Sequence, residues 1–195
     1  MNNTQKSPLQ EAVEQAHAKG RRAVIPFITA GFPDMDSFWT HLERIDAAGA
    51  DIIEIGVPFS DPVADGPVIE DASRDALARG VSLKWILDGL KARKGQFSAK
   101  LALMGYVNPF YQYGLENLAR DAAEAGVYGF IVPDMPLEES GMFRKVFAPY
   151  GLTLVTLVAP NTSVERMKEY KPCTEGFVYV VSVLGTTGGK TDLEQ

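Results

Sequence analysis

Short aliphatic runs alternate with longer amphipathic stretches along nearly the whole chain. The apolar runs fall at 23–29, 51–57, 100–104, 129–132, 153–158 and 177–181, each of strand length. They predict six strands. Between them apolar residues recur at helical spacing, as in Phe38, Leu42 and Ile45, in Leu115, Leu118, Ala119 and Ala122, and in Phe143, Val146 and Phe147. Boundary chemistry agrees with this reading. Asp36 or Ser37 is placed to cap the first of these helices, Gly49 and Gly126 stand just beyond helix ends, and Pro172 terminates a helix beginning near Ser163. A further helix is expected at 8–19, ahead of the first strand, with Ser7 as N-cap, Pro8 at the first helical position, Gln10 completing a capping box and Gly20 as the stop. Its stripe of Leu9, Ala12, Val13 and Ala16 is small and alanine-rich, which predicts packing on the domain rather than on a membrane, with His17 in solvent.

Continuous hydrophobic strands separated by helices imply a parallel sheet covered by helices. An internal echo supports this: AGADIIEIGVP at 48–58 and AGVYGFIVPDMP at 125–136 share the order helix end, glycine turn, buried strand, proline. Two architectures fit, a (β/α) barrel and an open doubly wound sheet, and strand number does not separate them. Composition adds a size and a setting. A chain of 195 residues with 46% hydrophobic content buries a substantial core as a single domain spanning 1–195, or forms most of a larger one. The net charge of -6, without single-sign blocks, argues against nucleic acid or an anionic membrane as the main partner. The N-terminal MNNTQKSPLQ has no apolar export signal, and no apolar run is long enough to span a bilayer. Cys173 is the single cysteine, which excludes an internal disulfide and fits a reducing cytoplasm.

Candidate chemistry concentrates in IIEIGVPFSDPVADGP at 52–67. Glu54 interrupts a run of β-branched residues, and strand alternation puts it with Ile52 and Gly56, opposite Ile53 and Ile55. An ionised carboxylate without partners is costly to bury, so the expected outcome is a raised pKa or a compensating partner, the setting of a proton-transfer group. The loop that follows offers Asp61 and Asp65 on a backbone restrained by three prolines, although loop aspartates equally serve as caps and turn formers. Tyr106, Asn108 and Asp134 end the third and fourth strands on the same rim, with Asp134 also placed to begin the next helix. Tyr179 alternates with Phe177 and Val181, where a core aromatic is the simpler role. The glycine- and threonine-rich LGTTGGKT after the sixth strand suits a mobile, phosphate-contacting lid. His17 and His41 are the only histidines and both fall on expected helices, so a histidine-based metal site or triad is not indicated. Dinucleotide and Walker-type glycine loops are absent.

PFITAGFPD, IEIGVPFSDPVADGP, LMGYVNPF and VPDMPLEES, taken together and in register along essentially the whole chain, resemble the tryptophan synthase alpha chain family. The resemblance implies an eight-stranded (β/α) TIM barrel, here with the N-terminal helix and the first six strands and without the last two βα units. It implies a lyase that splits indole-3-glycerol phosphate into indole and glyceraldehyde 3-phosphate in tryptophan biosynthesis. It needs no cofactor or metal of its own and works with a pyridoxal-phosphate beta chain in an α2β2 tetramer. Carried over by position, Glu54 is the general acid/base, Asp65 bonds the indole nitrogen and Tyr179 is the tyrosine beside the catalytic glutamate. Phe27, Ile69 and Tyr106 line the pocket, Thr187 is the lid threonine and Gly188 contacts phosphate. Val183 stands where some relatives carry a basic lid residue. A subunit that binds and activates the beta chain without turnover, and a different phosphate-binding barrel such as a sugar-phosphate isomerase, are the competing functions. A barrel short of two strands is expected to be a fragment, with strand edges open to association.

Overall fold

The computed structural model describes residues 6–181. In chain order the elements are α1 (Pro8–Ala18), β1 (Phe27–Thr29), α2 (Met35–Ala47), β2 (Ile52–Gly56), α3 (Pro67–Ala78), α4 (Leu83–Ala92), β3 (Lys100–Met104), α5 (Val107–Tyr113), α6 (Leu115–Ala125), β4 (Val127–Ile131), α7 (Ser140–Phe147), β5 (Thr153–Leu154), β6 (Thr156–Val158), α8 (Val164–Tyr170) and β7 (Val178–Val180). Strands β1 to β5 form one parallel sheet in sequential order, and β6 pairs in parallel with β7.

That order decides between the two architectures. A doubly wound sheet reverses direction at its middle, whereas each strand here is laid beside the previous one, as in a barrel wall. Burial shows the same thing from the side chains. Ile53, Ile55, Leu101, Leu103 and Phe130 point outward into a core shared with α2, α4, α6 and α7. Ile52, Ala102, Ile131 and Val155 point the other way, into a separate interior cluster. Leu9 and Ala12 of α1 belong to that interior cluster, so the first helix closes the N-terminal end of the lumen. Gly129 makes the approach possible: a Cβ there would stand 2.7 Å from Leu9 Cδ1 and 2.8 Å from the Thr153 carbonyl oxygen.

Several boundaries differ from the sequence reading. The first strand is shorter than 23–29, because Pro26 has no N–H, although the ladder already begins where Asp51 N–H donates to the Val24 carbonyl at 3.0 Å. Arg21 grips the Asp51 carboxylate with both terminal nitrogens, at 2.6 and 2.7 Å, pinning this segment to β2. Asp34, rather than Asp36 or Ser37, caps α2, accepting from Asp36 N–H at 3.1 Å and Ser37 N–H at 2.8 Å. Ser7 caps α1 as expected, but the Gln10 amide turns to Glu14 at 3.0 Å and the reciprocal half of the capping box is not made. The run at 153–158 divides at Val155, where the chain leaves β4 and takes up β7 as its partner.

Candidate active site

The C-terminal ends of the strands are held level by ladder bonds: Val57 N–H to the Met104 carbonyl at 2.7 Å and Gly105 N–H to the Ile131 carbonyl at 3.0 Å. The loops after β2, β3 and β4 therefore rise side by side. Between them lies a cleft lined by Phe27, Thr29, Asp65, Ile69, Tyr106 and Pro133, with Gly56 in its floor. Gly56 is required there, because a Cβ would come within 2.5 Å of the Phe27 ring. Phe27, Asp65, Ile69 and Tyr106, scattered over 80 positions of sequence, thus meet in one place.

Glu54 is two residues below Gly56 on the lumen side of β2, beside Phe27 in register and 5% exposed. No described side chain donates a hydrogen bond to it. Burial alone pushes its carboxyl up to about 7. Asp65, on the loop before α3, is also raised by burial, while the nearby Tyr106 hydroxyl draws it back. Tyr106 is fixed at both ends. Its hydroxyl accepts from Ala64 N–H at 3.1 Å and its ring packs on Phe59 at 5.3 Å between centroids. Tyr179 packs against the interior cluster, and burial together with the charges of Glu54 and Asp65 raises its pKa. Its phenol therefore stays protonated within the field of both carboxyl groups.

Asp61 does not join them. It is exposed and accepts a hydrogen bond from the neighbouring Ser60 hydroxyl, the local role of a loop aspartate. Asn108 is exposed on α5 and accepts from the Gln112 side chain at 3.1 Å. Thr187, Gly188 and Val183 lie outside the described residues. Thr29, Ser73 and Met104 line the cleft without having been singled out. Thr29 and Met104 obey the strand alternation that places Phe27 and Ala102 inward, but nothing in an apolar strand distinguishes a pocket wall from packing. Among the described residues no three histidine, cysteine or carboxylate side chains cluster as a metal site. No described helix is long and apolar enough to cross a membrane.

A parallel barrel wall with a buried carboxyl of raised pKa on its lumen side, and an aspartate and a tyrosine in the cleft at the strand C-terminal ends, has the layout of a (β/α)-barrel enzyme. Comparison with known proteins narrows that class. The family model of the tryptophan synthase alpha chain matches residues 13–195. The chain is 60% identical over 185 residues to the tryptophan synthase alpha chain of Desulfovibrio desulfuricans, covering 95% of this chain and 72% of that one. It is 57% identical over 187 residues to that of Nitratidesulfovibrio vulgaris, covering 96% and 73%. Among solved structures, Mycobacterium tuberculosis tryptophan synthase superposes with a TM-score of 0.89 at 34% identity, over 96% of this chain and 72% of that one. The tryptophan synthase complex of Pyrococcus furiosus superposes with a TM-score of 0.77 at 39% identity, over 82% and 66%. The chain belongs to the tryptophan synthase alpha chain family, TIM-barrel lyases that cleave indole-3-glycerol phosphate in tryptophan biosynthesis.

Proposed function

We propose that Glu54, Asp65 and Tyr179 carry the retro-aldol cleavage of indole-3-glycerol phosphate in this chain. The observation that supports this most is the burial of Glu54, which keeps it an acid up to about pH 7. Its carboxyl group delivers a proton to C3 of the indole ring, and the ring becomes an iminium centred on N1. Asp65, on the wetter loop and beside Tyr106 in the cleft, is the ionised partner that accepts the N1–H bond and stabilises that charge. Glu54, now a carboxylate, takes the proton of the side-chain hydroxyl next to the ring as the carbon–carbon bond breaks. The bonding electrons return to the ring, yielding indole and glyceraldehyde 3-phosphate, and the acid is regenerated. Tyr179 presents its neutral phenol to the glutamate, while Phe27, Ile69 and Tyr106 wall the indole. Thr187 and Gly188 are assigned by family position to lid closure and phosphate contact. These roles need no cofactor.

The same reading makes a pyridoxal-phosphate beta chain the partner in an α2β2 assembly, in the cytoplasm, and treats residues 1–195 as a single domain. Val63 and Val68 are 75% and 79% exposed on the rim loop and the start of α3, an apolar edge beside the site that fits a docked subunit. Indole release is the assay. Glu54→Gln and Asp65→Asn are each expected to lower kcat by about 10²–10⁴-fold, the usual range for removing a proton-transfer group. Asp61→Asn is expected to keep activity within about twofold, since its carboxylate serves only its own loop. Full activity in Glu54→Gln would end the assignment. Stimulation of the beta chain's condensation reaction by a Glu54→Gln chain would separate docking from cleavage.

A further inference from the structure

Helix α5 begins at Val107, and its N-cap position is held by Tyr106, with φ -93 and ψ 157 and no capping bond from its own side chain. A serine or aspartate there would satisfy the first helical N–H groups. Tyrosine does not, because its ring extends away to Phe59 and its hydroxyl accepts from the N–H of Ala64, the neighbour of Asp65. The cap comes instead from another loop. Asp134, in the turn after β4, accepts from Val107 N–H with Oδ1 at 3.0 Å and Oδ2 at 3.3 Å. Pro109 supplies no N–H in that first turn, so Val107 is one of few donors available to anchor the helix start. The bond fixes the peptide joining Tyr106 to Val107, and that peptide sets the direction in which the tyrosine side chain leaves the backbone.

We propose that Asp134 is a positioning residue for the cleavage site: by capping α5 from the neighbouring loop it frees residue 106 to be a tyrosine and aims that tyrosine at Asp65. Three consecutive rim loops are thereby linked in one line, from Asp134 through Val107 and Tyr106 to Ala64 and Asp65. The inference rests on the role proposed for Asp65, yet its central link is measurable without turnover. Tyr106 and Asp65 line the same cleft, and the tyrosine hydroxyl nearby favours the Asp65 carboxylate, so loss of aim on either side of the line leaves that carboxyl titrating higher.

The test uses the intact chain in five forms: Asp134→Ala, Asp134→Asn, Tyr106→Phe, Tyr106→Phe combined with Asp134→Ala, and Asp65→Asn. The Asp65 carboxyl is followed by carbon NMR titration, and indole release is measured in parallel. Asp134→Ala is expected to move the Asp65 titration upward in the same direction as Tyr106→Phe and to lower kcat/KM about tenfold. Asp134→Asn keeps an acceptor for Val107 N–H without the charge and is expected to restore both readouts, which distinguishes the cap from a field effect. The double variant is expected to be no worse than Tyr106→Phe alone. An unchanged Asp65 titration in Asp134→Ala, or penalties that multiply in the double variant, would overturn the proposal. Unchanged indole release in Asp65→Asn with the titration shifts intact would instead overturn the role of Asp65 and leave the line of positioning standing.

Discussion

Glu54 reverses the usual relation between a carboxylate and stability. A surface glutamate that gains a partner ionises more readily in the folded state; this one ionises at about 7 against an ordinary 4.5. Below pH 4 both folded and unfolded chains hold the proton and the difference has no effect. As pH rises through 4.5 the unfolded chain releases it while the folded chain does not, and stability falls until the folded group also ionises near 7. The accumulated loss above pH 7 is about 3 kcal/mol. Glu54→Gln cannot titrate, so its melting temperature relative to the parent is expected to climb between pH 4 and pH 8. Any fixed packing penalty of the amide cancels in that comparison. A gap independent of pH would mean that the carboxyl is solvated. The same ionisation governs turnover: kcat/KM should fall on the alkaline side with an apparent pKa of about 7, as the acid needed at C3 is lost. Glu54 was legible because one acid in a β-branched strand has few explanations. The rim position of Asp134 was legible too, but its role as the cap of α5 rather than the start of the next helix was not, since its target lies 27 positions away and a cap supplied across loops leaves no local pattern.

At the scale of elements, α1 does what a lone amphipathic helix must and finds a surface for its narrow apolar stripe. The stripe of Leu9, Ala12 and Ala16 was readable, as was burial on the domain, but the place of burial depended on a glycine in a strand that begins more than a hundred residues later. Gly129→Ala tests that contact. The added methyl would meet a carbonyl oxygen at 2.8 Å as well as the flexible Leu9 end at 2.7 Å, and the backbone atom has little freedom to retreat. A loss of roughly 1–3 kcal/mol is expected in urea unfolding, the range for forcing a methyl into a packed core. Gly141→Ala, in the exposed first turn of α7 with nothing within 4 Å, is the control and is expected to be neutral or to gain up to about 1 kcal/mol. Equal effects at the two sites would remove α1 from the lumen. Strand limits were less legible than helices for a related reason. TLVTLV at 153–158 is one unbroken pattern, and only tertiary pairing shows that its first half pairs with β4 and its second half with β7.

Across the whole molecule that change of partner separates a thick region from a thin one. Strands β2, β3 and β4 are covered on the outside by the main core and on the inside by the lumen cluster, and β2 is buried at every position. Beyond Val155 the coverage thins among the described residues: α8 contributes no buried residue, and Val178 and Val180 of β7 are 42% and 64% exposed. Arg144 adds a local weakness at this boundary. Its Nη1 is buried without a hydrogen bond to any described residue, and its ion pair with the Glu175 carboxylate is long, at 3.8 Å. Cooperative units follow buried apolar contact, so the two regions should not open together. Native-state hydrogen exchange is expected to place the Ile53, Leu103 and Phe130 amides at the global unfolding free energy. The Val181 amide, bonded to the Val158 carbonyl at 2.8 Å, should exchange through a local opening lower by about 2 kcal/mol or more. Tyr179 sits in this thinner region while Glu54 and Asp65 sit in the thicker one. Ligand that bridges them should therefore raise the protection of Val181 more than that of Leu103. Identical exchange free energies at the two amides in the free chain would show one cooperative unit instead, with Tyr179 fixed before substrate arrives.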